Sequence, residues 1–352
     1  MHKIVHNLMQ YSTKELHVSR TAILENVPIV DIAPFLNGTA EERQALADLV
    51  DKTNREIGFL VITGHGFDLR LLDRWFATSK EFFEGETENK RAVEAKSGIQ
   101  QGYHRLGQSG LAAKEGEKAP PDLREYFMIG QTDLSAPQFN TEAARRFHNE
   151  NVWPSNPASF REVGTEYYRE VEKLGALLMR IFAVALKLDE NWFEDKIDHH
   201  FSIVSSIYYP AQPTPPLPGQ LRAGAHTDYG SLTILAPTDA PGGLQVKTHA
   251  GDWVDVPYVS GGFIINIGDM MQRWTNDRWL SNMHRVVNPA VAATPPRPRQ
   301  SIAFFLHPNH DATIECIPTC VEDGIAPKHQ PITAGDYMKE KETAIATATP
   351  KA

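Results

Sequence analysis

The chain has 352 residues, of which 41% are hydrophobic and 22% charged, and it carries a formal net charge of −9. That balance describes a globular protein with room for one large or two ordinary domains, and its acidity argues against a general nucleic-acid or anionic-membrane binder. No apolar run approaches the ~20 residues of a membrane span, and two cysteines, Cys316 and Cys320, are too few for a disulfide scaffold. They read as free thiols in a reducing cytosol, with a local pair as the alternative. The first twelve residues lack an apolar signal region, so we expect a cytoplasmic protein, and without a heptad or exposed apolar stripe we expect a monomer.

Taken in order, residues 1–24 show no pattern. Val27-Pro-Ile-Val-Asp31 is a strand candidate, and Asn37-Gly38-Thr39 offers N-cap chemistry. Leu46, Leu49, Val50, Thr53 and Ile57 fall at helical spacing, which predicts a helix over 41–57. A buried strand, Phe59-Leu-Val-Ile-Thr63, follows Gly58, and a second helix is expected over 69–83. From Gly85 to Leu134 the pattern weakens to loop with short strand pieces, one of them within 122–130. The strongest helical signal follows. Phe160, Val163, Tyr167, Val171, Leu174, Leu178, Ile181, Ala185 and Leu188 step by three or four, predicting a helix over 159–188. Beyond Asp189 short β-rich runs alternate with Pro and Gly: 202–209, 231–235, 243–246, 253–256, 263–267, 284–287 and 300–306. Regular short strands of this kind argue for a β-sandwich or barrel. The fold class is therefore α+β with a mainly β core. We divide it into an N-terminal α/β region (1–155), the long helix with the β core (156–340), and an Ala/Thr-rich tail (341–352) expected to fray.

Three motifs carry chemistry. The first is His226-Thr-Asp228. On a strand, residues two apart share a face, so an imidazole and a carboxylate would aim at one point and suit a first-row divalent ion. Taken alone the motif is weak. With 14 histidines and 44 acidic residues, chance supplies about two His-x-Asp/Glu pairs. The other pair, His148-Asn-Glu150, reads as a loop without a metal role. The second motif is Gly268-Asp-Met-Met-Gln-Arg-Trp-Thr-Asn276, read as a turn leading to a strand that bears His284, the candidate third ligand. The third is Arg299-Gln-Ser301, where a guanidinium and a hydroxyl on one strand face could grip one carboxylate.

In this order and spacing the motifs resemble the iron(II)- and 2-oxoglutarate-dependent dioxygenases, in particular the isopenicillin N synthase-like branch. The likeness extends over about residues 27–310, including Gly58-Phe-Leu, Gly64-His-Gly66 and Asn151-Val-Trp-Pro154. It implies a double-stranded β-helix (jelly-roll) core, with His226, Asp228 and His284 as the iron ligands and catalytic centre. It implies 2-oxoglutarate held at its distal carboxylate by Arg299 and Ser301, with Tyr208 carried over from the family's Asn-Tyr-Tyr-Pro segment. It also implies O2 as co-substrate, ascorbate as reductant in vitro, and succinate and CO2 as co-products. The reaction would be hydroxylation, desaturation or ring closure at a C–H bond of a small secondary-metabolite or amino-acid-like molecule. Candidate substrate-lining residues are Tyr103, Arg105, Tyr126, Met128, Trp274 and Phe305, while His307 reads as a surface position, with a substrate contact as the alternative. The competing readings are a 2-oxoglutarate-independent iron oxidase or cyclase, and a non-catalytic binding protein on the same fold.

Overall fold

The computed structural model describes residues 27–107, 110–111, 120–212, 214–240, 242–289, 297–321 and 325–348. The patternless lead-in, 1–24, lies outside them. The described chain opens with strand β1 (Ile29–Asp31) and helices α1 (Ala33–Asn37) and α2 (Ala40–Glu56). A capping box starts α2. The Thr39 hydroxyl accepts from the Glu42 amide at 3.2 Å and the Glu42 carboxylate accepts from the Thr39 amide at 2.8 Å. Next come β2 (Phe59–Thr63), α3 (Leu69–Glu84), α4 (Thr87–Ala92), β3 (Gly102–His104) and β4 (Glu125–Ile129). The long helix, α5, spans Phe160–Ala185, three residues short of the predicted end, and α6 (Glu194–Ile197) follows.

The β-rich half supplies β5 (Ile203–Tyr209), β6 (Ala223–His226), β7 (Leu232–Pro237), β8 (Leu244–Lys247), β9 (Trp253–Asp255) and β10 (Phe263–Ile267). Then come helix α7 (Asp269–Trp274), β11 (His284–Val286), β12 (Arg299–Leu306), β13 (Thr313–Ile314), β14 (Ile332–Thr333) and helix α8 (Ala334–Ala348). One of these corrects the sequence reading. The segment after β10 is a helical turn rather than a turn into a strand. The Ala/Thr-rich tail continues α8 as far as Ala348, because alanine favours helix wherever a helix is already nucleated.

The strands form an eight-stranded sheet, ordered β1-β2-β10-β7-β12-β5-β4-β3, and a four-stranded sheet, ordered β6-β11-β8-β9. Apart from the parallel β1–β2 pair, neighbours in these sheets run antiparallel. The strands of the N-terminal region thus enter the main sheet rather than forming a separate layer. One face of that sheet packs on α2, α3 and α5 through Trp75, Phe82, Phe127, Tyr168 and Phe304. The opposite face meets the small sheet through Phe59, Ile207, Tyr209, Val246, Ile264 and Ala303. Two packed sheets with helices on one outer face make the jelly-roll core.

Helix α5 sits unusually close to the sheet. A Cβ at Gly175 would lie 2.7 Å from Leu306 Cδ1 and 3.1 Å from Phe304 Cε1, and one at Gly164 would lie 3.0 Å from Ile129 Cδ1. These glycines are about three helical turns apart and share the face pressed on the strands. Gly175→Val should therefore destabilise the fold by about 1–3 kcal/mol through overpacking, read as a lower midpoint in chemical denaturation. A variant as stable as the parent would contradict the close contact.

Candidate active site

The two histidines of the expected ligand set face each other across the small sheet. In the β6–β11 pairing His226 is directly opposite His284, and their ring centroids are 4.2 Å apart. Each ring is oriented by its own backbone. His226 Nδ1 donates to the Gly224 carbonyl at 2.8 Å and His284 Nδ1 to the Asn282 carbonyl at 3.1 Å. Both Nε2 atoms are thereby left with lone pairs pointing inward. Asp228 lies just beyond the end of β6, so strand alternation is not what brings it to His226. Its side chain is held from the main sheet. Thr233 on β7 donates to Oδ2 at 2.5 Å and Asn266 on β10 at 2.8 Å. That leaves Oδ1, which lies 3.7 Å from Nε2 of both His226 and His284. The three ligand atoms all fall within 4.8 Å of one another.

Burial, reinforced by the nearby His284, holds the pKa of His226 well below the usual imidazole range, so the ring is neutral and able to ligate. Burial opposes the charge of Asp228, but the two imidazoles and its two hydrogen bonds hold its pKa below the usual value. Two imidazoles and one carboxylate, with no further His, Cys, Asp or Glu joining the cluster among the described residues, fit an iron(II) site with open positions.

The loop carrying Asp228 is seated against Gly268. Asp269 N donates to the Asp228 carbonyl at 2.7 Å, and a Cβ at Gly268 would lie 2.2 Å from the Gly230 carbonyl oxygen. The Gly268-Asp269 motif is thus a docking point for the metal loop. His284 is fixed from the opposite side. Asn282 Nδ2 donates to the Ile57 carbonyl at 2.7 Å, and the Asp51 carboxylate accepts from Arg278 at 2.8 and 3.1 Å and from Trp279 Nε1 at 2.8 Å. Helix α2 therefore sets the position of the strand bearing the third ligand.

A narrow cavity opens from this cluster into the space between the sheets. Arg299 and Ser301 both line it, as their shared strand face requires. The Arg299 side chain is buried, and its Nη1 has no hydrogen-bond partner. A buried, unpaired guanidinium nitrogen is costly, and a carboxylate arriving in the cavity would satisfy it. The residues present therefore fit 2-oxoglutarate as well as iron.

Tyr208 does not join them. It faces the helices, stacks on Phe83 and donates to Glu84 Oε1 at 2.8 Å. Its neighbour Tyr209 lines the cavity, with the Arg299 guanidinium 5.0 Å and the Arg222 guanidinium 5.8 Å from its ring centre. The tyrosine expected from the resemblance is off by one residue, which on a strand means the wrong face.

The substrate candidates divide in the same way. Phe305 lines the cavity, and Tyr126 and Met128 pair with Ile207 and Ser205 on the strand beside it. Tyr103 is buried against Phe82 and donates to Glu125. Trp274 is fully buried against Trp192 and Phe193, because α7 turns it into the helical core. Arg105 is exposed and paired with Glu94 at 2.8 Å. His307 is buried and stacked on Phe201 rather than at the surface. Sequence reasoning missed Thr233, Asn266, Arg124 and Tyr209. For Tyr209 the signal was present in the Tyr-Tyr-Pro motif, whereas Thr233 and Asn266 carry no motif.

The non-haem dioxygenase N-terminal family ("in morphine synthesis") matches residues 27–156, and the 2OG-Fe(II) oxygenase superfamily matches residues 200–308. The 2-oxoglutarate-Fe(II) type oxidoreductase hxnY of Emericella nidulans is 31% identical over 317 residues, covering 89% of this chain and 88% of its own. The chain belongs to the 2-oxoglutarate–iron(II) oxygenases. A 2-oxoglutarate-dependent dioxygenase of Didymella fabae is 32% identical, covering 90% of this chain and 95% of its own. Among solved structures, a Neurospora crassa protein crystallised in complex with α-ketoglutarate and thymine superposes with a TM-score of 0.78 at 30% identity, covering 91% of this chain and 97% of that one. The protein is a non-haem iron(II), 2-oxoglutarate-dependent dioxygenase with a jelly-roll core. These relatives favour that reading over the 2-oxoglutarate-independent alternative.

The hydrogen bonds around Asp228 can be tested directly. Thr233→Val and Asn266→Leu each free Asp228 Oδ2 and should weaken iron(II) binding by about 10–100-fold, measured by anaerobic titration. Wild-type affinity in both would show that these contacts do not orient the ligand. A second test concerns pH. Burial lowers the pKa of His148 and of His307 from 6.5 to about 4. Both are neutral in the fold but accept protons in the unfolded chain below about pH 6.5. Their contribution is complete above that pH and is lost as pH falls toward 4. It is worth at most on the order of 3 kcal/mol each. Urea denaturation at pH 7 and pH 5 should show the loss, and His148→Gln should reduce it.

Proposed function

We propose that His226, Asp228 and His284 hold the iron(II), and that Arg299 and Ser301 receive the distal carboxylate of 2-oxoglutarate with Tyr209 packed beside them. The reading rests on one juxtaposition: the open-ended His226, Asp228 and His284 cluster shares a cavity with the unpaired nitrogen of buried Arg299. When bound, the iron and 2-oxoglutarate use O2 to break a C–H bond, releasing succinate and CO2.

The chain's own part is placement and exclusion. The two Nδ1–carbonyl hydrogen bonds fix the imidazole rings, and Thr233 and Asn266 fix the carboxylate. Leu235, Leu244, Val286 and Ala303 line the cavity and keep water from the reacting centre. Arg299 and Ser301 set the orientation of the dicarboxylate, and no side-chain base is needed.

The substrate is a small organic molecule, and the product arises by hydroxylation or desaturation. Relatives named for homoarginine and validamycin A, and the one crystallised with thymine, illustrate how widely the same core is used. We further propose a monomer. Unpaired Cys316 and Cys320 support a cytosolic location. Among the described residues no helix is long and apolar enough to cross a membrane.

Succinate formation from 2-oxoglutarate with iron(II), ascorbate and O2 tests the reading. His226→Ala should abolish it together with the anaerobic iron–2-oxoglutarate absorption band. Arg299→Leu should raise the KM for 2-oxoglutarate by about 100-fold, as expected for loss of a buried charge-assisted contact, while iron still binds. A band that survives His226→Ala would overturn the ligand assignment.

A further inference from the structure

A second cavity lies farther along the same sheet face. On β12 and β5 the inward residues follow alternation. Arg299, Ser301, Ala303 and Phe305, with Ile207 and Tyr209, line the cavity at the ligand cluster. His307, next in the β12 series, and Ile203, one alternation beyond Ser205 in the β5 series, line the second cavity. The strands are in register there, Phe305 opposite Ile203. The metal loop adjoins it, since a Cβ at Gly230 would lie 3.0 Å from His307 Nδ1, and His307 lies within electrostatic reach of Asp228. Its outer wall includes Met338 and Glu342 of α8. Glu342 pairs with Arg146 at 3.2 Å, joining α8 to the loop before α5.

The lining is chemically selective. Gln101 is 3% exposed and its Oε1 has no hydrogen-bond partner, and His307 is 8% exposed with an unpartnered Nδ1. Unsatisfied polar atoms at this depth are rare in native folds and mark a place where a ligand completes them. The remaining inner wall is aromatic or neutral, with Phe147, Phe201 and Asn149. Burial keeps the His307 ring uncharged. The lining charges, Arg146 and Glu342, are half-exposed and satisfy each other. An ionic guest would thus lose its hydration with no counter-charge inside, whereas a neutral guest with hydrogen-bonding edges meets two unsatisfied partners and aromatic walls.

We propose that this cavity is the substrate chamber of the oxygenase, and that Gln101 and His307 select a small neutral heterocycle carrying an N–H group. The Gln101 carbonyl accepts the N–H, the His307 imidazole makes the second hydrogen bond, and the ring lies among Phe147 and Phe201 with one C–H edge toward the metal cluster. This deepens the proposed function and rests on it, but binding can be tested apart from catalysis.

Metal-free protein would be titrated calorimetrically with 2-pyridone and uracil as neutral ring probes, and with benzoate and benzylamine as an anion and a cation of similar size. The neutral probes should bind saturably at millimolar concentration or below and the charged ones at least about tenfold more weakly. Gln101→Leu and His307→Phe should each weaken the neutral probes by about tenfold, the equivalent of one hydrogen bond. His307→Gln, which restores an amide hydrogen bond, should recover most of the loss, and near-ultraviolet circular dichroism confirms that each variant is folded. Charged probes binding as tightly as neutral ones, neutral binding indifferent to both positions, or no saturable neutral binding would overturn the proposal. Loss of succinate formation with neutral binding intact would instead count against the iron and 2-oxoglutarate reading alone.

Discussion

The site depends on how the Asp228 carboxylate is divided. One oxygen is bonded to Thr233 and Asn266 on the main sheet, and the other looks across at two imidazoles on the small sheet. The acid therefore bridges the layers of the sandwich. The separation of the sheets, set by interior residues such as Phe59, Val246 and Ile264, becomes the separation of the ligands. A fold whose layers were free to slide could not keep three ligand atoms within coordination distance, so the rigidity of the core is directly a property of the metal site.

The second constraint is electrostatic. The chain is acidic overall, yet Arg299 and Arg124 line the first cavity, Arg124 paired with Asp122 at 3.4 Å, and Arg222 lies with Arg299 over the Tyr209 ring. Burial, and then the neighbouring Arg299, lowers the pKa of Arg222 to about 10. Two guanidinium charges, Arg222 and Arg299, held together away from water favour an anion entering beside them. Surface acidity and a basic interior are thus compatible, because the net charge is screened within about 10 Å at ordinary ionic strength while the buried cluster is not.

Much of this was readable from the sequence. Helices α2, α3 and α5 declared themselves by one-sided apolar spacing, and the candidate ligands His226, Asp228 and His284 and the Arg299/Ser301 pair by ordered motifs. What escaped has identifiable causes. Strand β5 is buried on both faces over its whole length, so no polar alternation distinguishes Tyr208 from Tyr209, and only the packed structure shows which ring faces inward. Trp274 is near the ligands in sequence, but the unexpected helix α7 rotates it away. His307 looks polar enough for the surface, yet the alternation of β12 carries past the strand's end and turns it inward. Thr233 and Asn266 are ordinary residues on strands that meet Asp228 only after the sheets close, and no local pattern foretells a long-range hydrogen bond.

The order of the main sheet has a further consequence for anyone who trims the protein. Strand β2 forms hydrogen bonds directly with β10 along Phe59 to Ile62, and β10 is the strand that carries Asn266. A fragment starting at the long helix would retain His226, Asp228 and His284, together with Arg299 and Ser301. It would also expose the backbone edge of an apolar strand, Phe263–Ile267, to other chains. Such a minimal catalytic core would contain all the chemistry and still be an aggregation-prone object.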